Sequence, residues 1–94
     1  MEYVSMLRSR TYIATPPGAT IKEQLVERGM SQKEFAARIG MSEKHISRLI
    51  KGEVKLTPET AKKLEMVLGI PDMFWNNLEA LYRSKLIKVQ NENV

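Results

Sequence analysis

An all-α domain, a compact bundle of five short helices behind a short extended arm, is the fold class this sequence predicts, and three observations predict it. Capping side chains stand ahead of apolar-periodic runs at Ser31, Ser42 and Thr57. Glycines close such runs at positions 29, 40, 52 and 69. Within the runs the apolar residues recur at three and four positions rather than two. The 94 residues suffice for one core but not for two, and no repeat or low-complexity linker divides them. The expected organisation is an arm at 1–15, a helical domain at 16–86 and a tail at 87–94.

In the arm there is no helical period, and Pro16-Pro17 after "TYIAT" favours an extended path. The first helix lies within Pro17–Arg28, with Ile21 and Leu25 one turn apart; Thr20 and Glu23 also have the spacing of a capping box at its start. Ser31-Gln32-Lys33-Glu34 is a second such box and opens a helix of about two turns, with Phe35, Ala36 and Ile39 turned inward. Ser42 caps the third helix, where Ile46, Leu49 and Ile50 share a face. Thr57-Pro58-Glu59 starts the fourth with a capping hydroxyl, a proline at the first helical position and an acid in the positive first turn. Its inward residues are Ala61, Leu64, Val67 and Leu68. The fifth begins near Pro71, carries a wide stripe of Phe74, Trp75, Leu78, Leu81 and Tyr82, and should fray from Lys88 onward.

Charge and composition narrow the function. The net charge is +4, and residues 31–56 hold six Lys/Arg against three Asp/Glu, while residues 57–94 are balanced at five against five. A polyanionic partner is one meaning of such an excess; a solvated face is the other. There is no cysteine, hence no disulfide framework or thiolate metal site. His45 is the only histidine, which leaves a metal cluster or a histidine-based catalytic set without a second member. No enzyme activity, metal or cofactor is expected. No apolar run nears the ~20 residues of a membrane span, and the N-terminus lacks a secretory apolar stretch, so a cytoplasmic protein with no membrane partner is expected.

The third helix bears on the two meanings of the charge, although an amphipathic helix with exposed Lys and Arg is most often only solvated. With Ile46 at zero on a helical wheel, Lys44, Arg48 and Lys51 project at about 160°, 200° and 140°, flanked by His45 and Ser47. Such a donor-rich face suits the major groove, where Arg or Lys donates to guanine and Glu accepts from cytosine. Glu43, at about 60°, could equally serve the helix dipole. The second helix adds weight: Ala36 and Gly40, followed by Ile46 and Leu49, allow two helices to cross closely around a tight turn.

That stretch resembles the helix-turn-helix of the Cro and phage-repressor class, the xenobiotic-response-element family with its lambda-repressor-like DNA-binding domain, over about Pro17 to Leu81. More narrowly, the Pro-Gly before the first helix, "SQKE", "ISRLIKG", "LTPETA" and "FWNNLEALY" are similar to HigA-type antitoxins of toxin–antitoxin modules. Longer proteins join this block to a zinc peptidase, but no H-E-x-x-H motif is present here, so that activity is not expected.

The resemblance implies that Gln32 lies against the DNA backbone, that Glu43, Lys44 and Arg48 face base edges, and that Ser42, Lys51 and Lys55 approach phosphates. His45 would make a flank contact to phosphate or remain in solvent. Phe74 and Trp75 are expected to close the core, since a stacking platform needs basic neighbours that they lack. The breadth of the last stripe suggests a homodimer through Leu78, Leu81 and Tyr82. The implied function is that of an antitoxin that binds a small ribonuclease toxin and represses its own operon at an inverted-repeat, double-stranded operator. Alternatives are a phage-type or chromosomal repressor without a toxin, and a protein-interaction module that has no need of the cation row. The arm is the candidate toxin contact, against the default of a loose terminus.

Overall fold

The computed structural model of the chain describes residues 7–8 and 13–92. Two short strands, β1 (Leu7–Arg8) and β2 (Ile13–Ala14), pair antiparallel with Leu7 opposite Ala14, and five helices follow. They are α1 (Pro17–Glu27), α2 (Gln32–Ile39), α3 (Glu43–Lys51), α4 (Pro58–Leu68) and α5 (Asp72–Glu92).

Local chemistry sets the starts of the middle helices. Ser31 Oγ accepts from the Glu34 N–H at 3.0 Å, Ser42 Oγ from the His45 N–H at 3.0 Å, and Thr57 Oγ1 from the Thr60 N–H at 3.2 Å. Each satisfies a donor that the first helical turn leaves unpaired. The box at Ser31 is only half made, because the Glu34 carboxylate reaches forward to Arg38 at 2.8 Å instead of back to the cap. Thr20 and Glu23 do not form a box at all: α1 begins earlier, with extended Pro16 as its cap and Pro17 in its first turn.

α2 and α3 meet around Gly40, whose φ of 72° lies in the left-handed region that a side chain would oppose. Its N–H and that of Met41 both return to the Ala36 carbonyl, which closes α2 and turns the chain into α3. Ala36 is small and buried, so α3 can pack close behind it. Phe35, Ala36 and Ile39 from α2 join Ile46, Leu49 and Ile50 from α3 in one core with Ile21, Leu25, Leu56, Ala61, Leu64, Leu68 and Trp75. Each large aliphatic group there contributes up to ~1.5–3 kcal/mol by leaving water. Trp75 is fully buried and donates from Nε1 to the Ile70 carbonyl at 3.2 Å. Phe74, expected beside it in the core, is 41% exposed and meets Trp75 edge-on at 5.2 Å.

The far end of the bundle corrects two expectations. α5 continues to Glu92, so residues 87–92, expected as a tail, are helical; positions 93 and 94 lie outside the described residues. The cause is a second small core in which Tyr82 and Val89 close over Ala14 of β2, with Leu86 against them. Tyr82, expected to meet a second copy, is thus only 5% exposed and is covered within its own chain. Of the arm, positions 1–6 and 9–12 lie outside the described residues. No helix among the described residues is long and apolar enough to cross a membrane.

Candidate nucleic-acid interface

α3 is held from behind and left open in front. Ile46, Leu49 and Ile50 are buried, whereas Glu43, Lys44, Arg48 and Lys51 are exposed and His45 and Ser47 are half-buried at the margins. The apolar stripe fixes the rotation of the helix, and that rotation aims the polar residues outward. Glu43 falls in the first turn and Arg48 and Lys51 in the last, an arrangement that also complements the helix dipole.

The cations of this face, like the described Lys22, Lys33, Lys62, Lys63 and Lys85, carry no partner, whereas several arginines elsewhere do. Arg38 is paired to Glu34, Arg83 to Glu79, and Arg28 donates to Gln24 and to the Leu68 carbonyl. Among the described residues, the side chains of Lys44, Arg48, Lys51 and Lys55 make no hydrogen bond or ion pair. Their charges are uncompensated locally, and their donors are free for an incoming anion.

The remaining residues of the expected site come from other elements. Gln32 is half-buried in the first turn of α2, next to the cap, and Lys55 is exposed in the connection from α3 to α4. Ser42 uses its oxygen as the α3 cap, which leaves its hydroxyl proton available to a phosphate. Glu43 lies on the exposed side, compatible with either of its two roles. Leu81 is 53% exposed and Leu78 half-buried; both line a groove of about 170 Å³ beside Pro16 and Thr20. No group of three or more metal-ligating side chains occurs among the described residues.

Residues 21–74, spanning α1 to the start of α5, match the helix-turn-helix family. The chain belongs to the helix-turn-helix family. It is a DNA-binding transcriptional regulator, and the family is not enzymatic. Over 63 residues, 67% of either chain, it is 41% identical to the uncharacterized HTH-type transcriptional regulator YddM of Escherichia coli K12. Its structure is similar to that of an addiction module antidote protein of the HigA family from Coxiella burnetii, with a TM-score of 0.73 at 26% identity, covering 78% of this chain and 80% of that one. It is also similar to a Pseudomonas aeruginosa antitoxin HigA solved with the higBA promoter, with a TM-score of 0.77, covering 83% and 86%. At 20% identity that second likeness concerns the fold alone.

In this helix-turn-helix regulator, sequence reasoning finds the outward residues of α3 but misses what seats the helix. Gly18, near the start of α1, packs directly against the main chain of α3. Its signals in the sequence were its place in the Pro-Gly motif of the resemblance and in the first turn of a helix, where alanine would be the better helix former.

Proposed function

We propose that this regulator is the antitoxin of a toxin–antitoxin pair, which binds an inverted-repeat operator ahead of its own operon as a homodimer and neutralises a small ribonuclease toxin by direct binding. The observation that carries the DNA half is the unpaired row of Lys44, Arg48 and Lys51 on the open face of α3. In this reading Arg48 and Lys44, with Glu43, meet base edges in the major groove. Ser42, Lys51, Lys55 and Gln32 meet the phosphate backbone, with His45 and Ser47 at the flanks. Exposed Leu81 and half-buried Leu78 offer the second copy its surface on α5, with Tyr82 buttressing them from inside the chain. A two-fold dimer would set two α3 helices ~34–36 Å apart, one turn of DNA.

The antitoxin half is supported by the likeness to the Coxiella burnetii antidote protein, which extends along most of both chains. The test is co-purification with the product of the adjacent gene, followed by a gel shift on their shared upstream DNA. A stable complex that also shifts this DNA is the expected result. Shifted DNA without any toxin in the complex would instead identify a phage-type or chromosomal repressor.

A further inference from the structure

The first turn of α1 touches the backbone of the last turn of α3. A Cβ built on Gly18 would overlap the carbonyl oxygens of Leu49 and Ile50 and the Cα of Ile50. All three are main-chain atoms, so no change of rotamer relieves the overlap; one of the two helices has to move. Gly18 is not among the positive-φ glycines, so the close approach, not the backbone conformation, is what demands glycine here. Two residues earlier, the ring of Pro16 rests on the glycine that caps α3. Its Cβ and Cγ stand 2.9 and 3.0 Å from where a Cβ of Gly52 would be.

Arg48 and Lys51 occupy that same last turn of α3. We infer that Gly18 is a positioning residue for DNA reading: it lets α1 seat directly on the α3 main chain and so sets how far Arg48 and Lys51 reach towards the duplex. The inference rests on α3 being the helix that meets DNA, and it adds a residue that touches no DNA itself. The seat acts on the height and tilt of α3, while the aliphatic stripe of α3 sets its rotation. Because the contact is with backbone, trimming an α3 side chain cannot accommodate a methyl group at position 18.

The experiment compares Gly18→Ala with Leu25→Val, a core change farther along α1, using a duplex from the gene's upstream region and a scrambled duplex of equal length. Amide spectra of each free protein are recorded in parallel. In Gly18→Ala, the amides of residues 48–52 should shift more than those of α4. Affinity for the upstream duplex should fall about tenfold or more, the scale of one lost bidentate base contact. Scrambled binding should fall far less, because phosphate contacts tolerate small displacements. Leu25→Val should preserve the ratio of upstream to scrambled affinity, and adding Ile50→Ala to Gly18→Ala should not restore it. Shifts confined to α1, or rescue by Ile50→Ala, would overturn the seat. Displacement of residues 48–52 with no change in upstream affinity would overturn the inference, while Arg48→Ala, titrated on the same two duplexes, tests separately whether α3 meets DNA at all. Should Gly18→Ala fail to fold, Pro16→Ala takes its place: a smaller loss of upstream preference with shifts at residues 51–53 is expected, and unchanged preference overturns the inference.

Discussion

Arg28 donates from Nη2 to the main-chain oxygen of Leu68 at 2.7 Å, tying the end of α1 to the last turn of α4. The guanidinium satisfies a carbonyl at a helix terminus, where intrahelical partners run out and the dipole is negative. It also holds Gln24 Oε1 at 3.2 Å, so its planar fork serves two acceptors. Arg28→Ala should therefore lower stability by ~1 kcal/mol in a denaturant melt. DNA affinity of the folded fraction should stay as it was. A variant with wild-type stability would show that this bond is not maintained in solution.

Leu81 and Tyr82 are adjacent in sequence and should respond oppositely to the same substitution. Leu81→Asp places a charge on an exposed surface and should leave the fold intact while weakening self-association in sedimentation. Tyr82→Asp puts a carboxylate into the core made with Ala14 and Val89, and should destabilise the monomer by several kcal/mol, roughly the cost of an unpaired buried charge. If Leu81→Asp leaves the association constant unchanged, the second copy does not meet α5 there.

Removing residues 1–10 deletes β1 but keeps Ala14 and the small core on α5. The truncated protein should melt within a few degrees of the full chain and bind DNA as well. On the reading of this regulator as an antitoxin, binding to the adjacent gene product should weaken, measured by titration calorimetry. Full neutralisation by the truncated protein would place the toxin contact on the helical body.

On the proposed reading, Lys55, exposed in the connection after Gly52, meets the phosphate backbone only. Lys55→Ala should weaken upstream and scrambled duplexes about equally and reduce the slope of log K against log salt by ~1. An unchanged slope would remove Lys55 from the phosphate contacts.

The middle of the fold was legible because its signals are local. Ser31, Ser42 and Thr57 act on amides three residues ahead, and the i, i+3, i+4 spacing of Ile46, Leu49 and Ile50 fixes a buried face without reference to any other element. What was missed depends on contacts between distant segments. Residues 88–92 look polar enough to fray, yet Val89 is anchored on Ala14, some seventy positions earlier. Tyr82, Leu86 and Val89 do fall at i, i+4 and i+7, a helical period that was present in the sequence but is sparse among polar neighbours. Phe74 fits the apolar stripe of α5, but Trp75 takes the buried position in the core and Phe74 stays 41% exposed. The outward residues of α3 followed from its period; the role of Gly18 did not, because sequence spacing carries no information about which backbone it will touch.

Arg48 separates base reading from simple charge attraction more sharply than any other residue. It is exposed on the open face of α3 and has no partner within the described residues, so its removal should cost little stability, the ~0.3–1 kcal/mol of its interaction with the helix dipole. The decisive measurement is a pair of titrations of Arg48→Ala, on the upstream duplex and on a scrambled one, each repeated over a range of salt concentrations. Expected is a loss of ~1–3 kcal/mol on the upstream duplex, with relaxed preference at one base position and a clearly smaller loss on scrambled DNA. Equal proportional losses on both duplexes would contradict base reading through Arg48 and reduce the cation row of α3 to an electrostatic footing.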